Sequence, residues 1–169
     1  PPSCWYFPVR NMQSPFLFEL YLIDFAKGTA VPIERLIEGR PYSVSKDGKM
    51  VLSYVFEKNS QVTLSHIEDG LICKYGKTDE TSWFPVFHPE KESIYLVSNR
   101  SGQFDIWEIR NFQTEPEWIQ LTNDKDPEEY PVISKNGKEL LFQRRTGDNY
   151  DLYLMNLETN HTQKLTANP

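Results

Sequence analysis

Helix periodicity is what this sequence most clearly lacks. No segment repeats apolar residues at the spacing of an amphipathic helix, and the best candidate, residues 33–38, is too short and too β-branched. Long apolar runs are missing too. Nothing approaches the ~18–20 consecutive apolar residues of a membrane-spanning helix. Basic charge is in deficit: 18 Lys plus Arg stand against 24 Asp plus Glu, a net charge of −6. No basic run exceeds Arg144-Arg145, so a nucleic-acid backbone is not an expected partner. Cysteine is scarce. Cys4 and Cys73 leave one disulfide or two free thiols equally open, and Cys4 is also a candidate lipidation position. No apolar leader precedes it, and the sequence starts at Pro1 rather than Met, which leaves room for a removed upstream region. There is no Gly-x-Ser-x-Gly elbow and no Gly-rich phosphate loop. The three histidines, His66, His88 and His161, show no metal-ligand spacing. Neither cofactor nor metal is expected.

What the sequence does have is aromatics, 14% of its residues, and a repeat. The clearest unit runs from Tyr130 to Thr166. Its apolar runs are Tyr130-Pro131-Val132-Ile133, Glu139-Leu140-Leu141-Phe142, Asp151-Leu152-Tyr153-Leu154-Met155 and Gln163-Lys164-Leu165-Thr166. Turn signals separate them, the strongest being Asn136-Gly137, read as a type I′ hairpin turn. The unit is a four-stranded antiparallel meander. Its third strand is apolar on both faces, as in a sheet covered on both sides.

Upstream, Phe84-Pro85-Val86-Phe87, Ser93-Ile94-Tyr95-Leu96-Val97-Ser98, Asp105-Ile106-Trp107-Glu108-Ile109 and Trp118-Ile119-Gln120-Leu121-Thr122 repeat the pattern. A weaker copy starts at Tyr42. The position opening each third strand falls at Glu19, Gln61, Asp105 and Asp151, giving spacings of 42, 44 and 46 by subtraction. A period in the forties made of four short strands is the mark of a β-propeller blade. The fold class is therefore all-β, with one partial propeller divided as 1–40 (an incomplete blade), 41–79, 80–127 and 128–169. The first copy supplies only Trp5–Val9, Phe18–Asp24 and Val31–Leu36, without an innermost strand. The ring is thus expected to be completed by further blades, six to eight in all, or by another polypeptide. Leu20, Leu22, Leu152 and Leu154 are expected to be partly uncovered on the outer faces, and the 169 residues alone to self-associate.

Several elements in register resemble propellers of the TolB type. Ser45-Lys46-Asp47-Gly48-Lys49 and Ser134-Lys135-Asn136-Gly137-Lys138 match the first hairpin. Ser98-Asn99-Arg100-Ser101-Gly102-Gln103-Phe104-Asp105-Ile106-Trp107 matches the middle, and Leu121-Thr122 and Leu165-Thr166 the end. Departures are His88-Pro89-Glu90-Lys91-Glu92, which lacks the turn glycine, and Leu71–Tyr75, which lacks Leu-Thr. The resemblance implies a non-catalytic protein–protein interaction module, with partners among envelope proteins and a periplasmic or envelope location. The alternative is the propeller of a larger enzyme, either a cap on a prolyl oligopeptidase-type hydrolase or a sugar-active propeller.

Candidate site residues follow from this layout. Asp105 and Asp151 are expected to accept hydrogen bonds from turn N–H groups, a structural role. His88 ends a first strand where the other copies have Ser, which makes it a candidate for lining the central channel, against a structural alternative. Two loop sets share one rim: the turns after the second strands, and the linkers 77–83 and 123–130. Trp83, Arg100, Tyr130 and Arg145, with Glu128 and Glu129, are the partner-binding candidates there, being anchor-type residues and their charged neighbours. Asn99-Arg100-Ser101 and Asn160-His161-Thr162 fit the glycosylation sequon at turn positions.

Overall fold

A computed structural model describes residues 4–10, 17–24, 26–55, 58–67 and 70–167. Among these residues, fifteen strands form four antiparallel sheets. The first sheet is β1 (Cys4–Arg10), β2 (Leu17–Asp24) and β3 (Thr29–Glu38). The second is β4 (Arg40–Val44), β5 (Met50–Tyr54), β6 (Val62–His66) and β7 (Gly70–Tyr75). The third is β8 (Ser82–Phe87), β9 (Ser93–Ser98), β10 (Asp105–Arg110) and β11 (Glu117–Gln120). The fourth is β12 (Glu128–Ile133), β13 (Glu139–Thr146), β14 (Asn149–Asn156) and β15 (Thr162–Lys164). Each sheet is a meander in chain order, and among the described residues there is no helix. The fold class read from the repeat is the one observed.

The first strands come together between sheets: β8 touches both β4 and β12. The third sheet is therefore covered on two sides, which is why every residue of β9 is buried. One apolar cluster runs through the last three sheets, with Leu52, Leu64, Tyr95, Ile106, Leu140 and Phe142 at its centre. A second, small cluster of Leu20, Val51 and Ile67 joins the first sheet to the second. Leu20 is thus buried rather than partly uncovered, because Val51 and Ile67 close over it. Leu22 and Leu154 are half-buried, and Leu152 is exposed.

The first hairpins repeat atom for atom. In one, the Gly48 N–H donates to Ser45 C=O at 2.9 Å, and the Met50 N–H to Ser45 Oγ at 2.9 Å. In the other, the Gly137 N–H donates to Ser134 C=O at 2.9 Å, and the Glu139 N–H to Ser134 Oγ at 2.9 Å. Only the glycines are left-handed, Gly48 at φ 74° and Gly137 at φ 71°. Asn136 keeps a negative φ, so the expected type I′ turn is not formed. The loop is one residue longer, a type I arrangement closed by a left-handed glycine. Asn136 serves through its side chain instead, its Oδ1 accepting from Ser134 Oγ at 2.7 Å and from the Lys138 N–H at 3.0 Å.

Two first strands start earlier than the repeat suggests. β12 begins at Glu128 and β8 at Ser82, so Glu128, Glu129, Tyr130 and Trp83 are strand residues, not linker residues. β13 runs through Arg144 and Arg145 to Thr146.

Candidate functional site

The first strands of the three four-stranded sheets all break register near their starts. Pairing shifts between Pro41 and Ser43 in β4, between Trp83 and Val86 in β8, and between Glu129 and Val132 in β12. Such bulges re-aim side chains. At two of them a bulky aromatic residue has a left-handed backbone, Phe84 at φ 54° and Tyr130 at φ 53°. That conformation is unfavourable for a residue with a large side chain, and held strain of this kind concentrates at functional sites.

The bulges place an aromatic row across three blades. The Tyr130 ring lies 4.1 Å from that of Phe84. Phe84 meets Tyr54 at 5.3 Å and Tyr42 at 5.9 Å, and Tyr42 meets Tyr54 edge-on at 5.6 Å. Phe84 is buried at the centre, while Tyr42 and Tyr130 are exposed on either side. Burial pushes the Tyr54 phenol up to about 12, helped by the Tyr42 hydroxyl and opposed by Arg40. Burial also raises Tyr42, with the Tyr130 hydroxyl adding and Arg40 opposing. Tyr42 and Tyr54 thus stay neutral beside the Arg40 guanidinium. Only Tyr130 of this row was singled out from the sequence. The missed signal is the Pro beside each aromatic: Pro41-Tyr42, Phe84-Pro85 and Tyr130-Pro131.

The other sequence candidates scatter. Trp83 joins the edge of the row, stacked on Phe104 at 4.9 Å. The Arg100 guanidinium lies 4.0 Å over Trp118 and 5.1 Å over Trp107, within its own blade. Arg145 is exposed and its Nε donates to Gly147 C=O at 3.0 Å. Glu129 is half-buried and accepts from Gln143 Nε2 at 3.1 Å.

Glu128 is not on the rim surface. It is 0% exposed, which puts it beyond a partner's reach. Its carboxylate accepts from Thr122 Oγ1 at 2.8 Å and from Arg144 Nε at 2.9 Å. Arg144, absent from the sequence candidates, also pairs with Asp124 and lies 4.4 Å over Tyr153. The group is a latch between the third and fourth blades. Burial drives the Glu128 carboxyl up to about 7, although Thr122 and Arg144 both pull it down. It also explains the Leu-Thr signature: Thr122 Oγ1 accepts from the Ile106 N–H at 2.8 Å while donating to Glu128.

Asp105 has the expected structural role with different donors. Gln103 Nε2 at 2.9 Å, Gln120 Nε2 at 2.8 Å and the Ser101 hydroxyl supply it, all side chains rather than turn N–H groups. Asp151 accepts from Thr166 Oγ1 at 3.1 Å and pairs with Lys164 Nζ at 2.7 Å.

His88 is only 7% exposed. Its Nδ1 accepts the N–H groups of Glu90 at 3.0 Å and Lys91 at 2.9 Å. Nε2 therefore carries the proton and donates to Gly137 C=O at 3.0 Å. Burial lowers its pKa, keeping the ring neutral. The imidazole replaces the Ser45 or Ser134 hydroxyl as the hairpin cap and ties the third blade to the fourth. Both ring nitrogens are spent on backbone. Among the described residues no three His, Cys, Asp or Glu side chains gather closely enough to hold a metal. Cys73 is a half-buried free thiol, so no disulfide joins it to Cys4.

No protein-family model matches the sequence, and no curated protein matches it. Solved structures do. A putative TolB from Agrobacterium tumefaciens superposes with a TM-score of 0.76 at 18% identity, over 96% of this chain and 60% of its own. TolB from Acinetobacter baumannii gives 0.75 at 19% identity, over 97% of this chain and 41% of its own. An oligogalacturonate lyase solved with manganese gives 0.61 at 12% identity, over 92% of this chain and 51% of its own. The chain thus spans about half the length of the propellers it matches, and those propellers include an enzyme. In fold the chain is a TolB-like β-propeller array, one three-stranded antiparallel sheet followed by three four-stranded blades.

Proposed function

We propose that this chain is a non-catalytic, protein-binding part of a larger β-propeller, and that its contact surface is the aromatic row of Tyr42, Phe84 and Tyr130. The observation that carries this reading is the strained backbone at Phe84 and Tyr130, which holds large side chains across blade boundaries with two tyrosines exposed. Aromatic anchors beside an arginine are the residue types that dominate interface energies. Trp83, Arg145 and Glu129 flank the row as secondary contacts, and Arg100 acts by bracing its blade. The ring is completed by further blades or by another polypeptide. An envelope or periplasmic setting, with envelope proteins as partners, is part of the reading and rests on the TolB likeness.

Site-specific photo-crosslinking in the native cell tests it. A benzophenone side chain at position 130 should give a discrete protein adduct that the same group at Thr159, on an exposed turn, does not. Adducts at neither position, or the same set at both, would contradict the assignment.

A further inference from the structure

The third and fourth blades enclose a cavity of about 420 Å³ at the end of the sheets that carries the first hairpins. It is separate from the aromatic row, and nothing described so far uses it. We propose that this cleft binds a small neutral polyhydroxylated ligand, of monosaccharide to disaccharide size.

The floor of the cleft is built rather than incidental. Tyr95 and Glu108 line it, 2% and 4% exposed. The Tyr95 hydroxyl donates to Glu108 Oε1 at 3.3 Å, while Arg110 holds Oε2 through Nε and Nη2, both at 3.0 Å. Burial, reinforced by Glu108, raises the Tyr95 phenol so that it stays protonated. A buried carboxylate oriented by a phenol and a guanidinium keeps lone pairs for further donors, and charge-assisted hydrogen bonds of this kind are the strong ones.

The mouth supplies groups that both donate and accept. Asn111 and Asn160 have left-handed backbones, at φ 49° and 56°, on the turns after β10 and β14. Their side-chain amides make no hydrogen bond to the described residues, and both line the cleft. An amide offers a carbonyl and an NH₂ side by side. That pairing suits adjacent hydroxyls, each of which gives and takes one hydrogen bond. Leu121 and Leu157 add an apolar wall for C–H faces.

Charge selects against ions. Glu108 is neutralised by Arg110, and Glu158 at the mouth pairs with Lys138 at 3.5 Å. The remaining lining charges, Lys91 and Glu92, balance. Neither an anion nor a cation finds an unopposed partner. The volume lies within the ~300–1,000 Å³ usual for ligand pockets.

Nuclear magnetic resonance titration of the protein tests this, with maltose and N-acetylglucosamine as neutral probes, galacturonate as the anion and spermidine as the cation. At least one neutral sugar should shift the backbone amides of Asn111, Gln120 and Asn160 saturably, in the millimolar range, while the ions do not. The double variant Asn111→Gly/Asn160→Gly keeps the left-handed backbone and removes both amides. It should melt like the parent and bind ~10-fold more weakly, ~1.4 kcal/mol. If it melts early, the exposed Asn160→Asp, whose side chain tolerates the same backbone, carries the same test. No saturable shift from either sugar up to ~50 mM would overturn the proposal, that limit lying well above millimolar affinity. So would saturable binding of galacturonate or spermidine instead, or undiminished binding by the variants.

Discussion

β10 and β14 hold the same place in successive repeats, yet they live in different surroundings. Ile106 follows Asp105 as Leu152 follows Asp151, and both are large and aliphatic. Ile106 is 0% exposed and Leu152 is 41% exposed. The threonine after each fourth strand differs in the same way. Thr122 accepts the Ile106 N–H and donates forward to Glu128 of the next blade. Thr166 accepts the Leu152 N–H at 2.9 Å and donates back to Asp151. Two corresponding strands thus differ because, among the described residues, a blade covers one and none covers the other. In this fold, burial is a property of the neighbour as much as of the residue.

The sharpest way to break that comparison is truncation at both positions. Ile106→Ala should cost ~3 kcal/mol or more, because a buried side chain leaves a cavity. Leu152→Ala should cost ~1 kcal/mol or less, because its side chain is already half in water. Chemical denaturation of the two variants, made in these 169 residues alone, measures both, and equal losses would mean that another copy of the chain covers the fourth blade.

Gly137→Val comes next. A Cβ there collides with the His88 ring at Cε1, and the backbone sits at φ 71°. Left-handed strain of ~1–2 kcal/mol adds to the overpacking, so the loss should exceed ~2 kcal/mol. Gly147→Val, at φ 64° with nothing near its Cβ, should show the strain alone. A matching loss at both sites would show that the His88 tie carries no weight.

Removing the threonine hydroxyls tests the latch. Thr122→Val removes the donor to the buried Glu128 Oε2 and the acceptor of the Ile106 N–H, which should cost ~2 kcal/mol. Thr166→Val, at an exposed edge, should cost ~1 kcal/mol or less. Comparable losses by thermal melting would contradict the difference drawn between the two edges.

The smallest effect is a pH slope. Glu128 has its folded pKa at about 7, above its ordinary 4.5, so the folded chain holds the proton more tightly. Its contribution to stability is fully present below about pH 4.5 and is lost as pH rises through about 7. Glu128→Gln should remove on the order of 1 kcal/mol of that fall, judged by melting at pH 5 and pH 8. An unchanged slope would show that Arg144 keeps the carboxylate ionised throughout.

Much of the architecture was legible in the sequence because its signals are local. Turn glycines at Gly48 and Gly137, apolar runs of strand length and a period in the forties suffice for a blade. The candidate site was less legible because it depends on contacts between blades. Glu128 reads as a linker acid, and only its neighbours Thr122 and Arg144 make it a buried latch. Tyr42 and Phe84 read as core aromatics, and only the bulges show where they point. Arg100 reads as a partner-binding anchor and Arg144 is not singled out, although each lies over aromatic rings of its own blade. The left-handed backbone at Phe84 and Tyr130 has no glycine or asparagine to announce it.

Native-state hydrogen exchange tests the central claim most directly, since it reads the paired amides of Ile106 and Leu152 in one sample. Both N–H groups bond to a threonine hydroxyl, so their chemistry is matched and only the covering blade differs. The account predicts that Ile106 exchanges only through global unfolding, and that Leu152 exchanges through local opening at least ~100-fold faster. Equal protection at the two amides would contradict it.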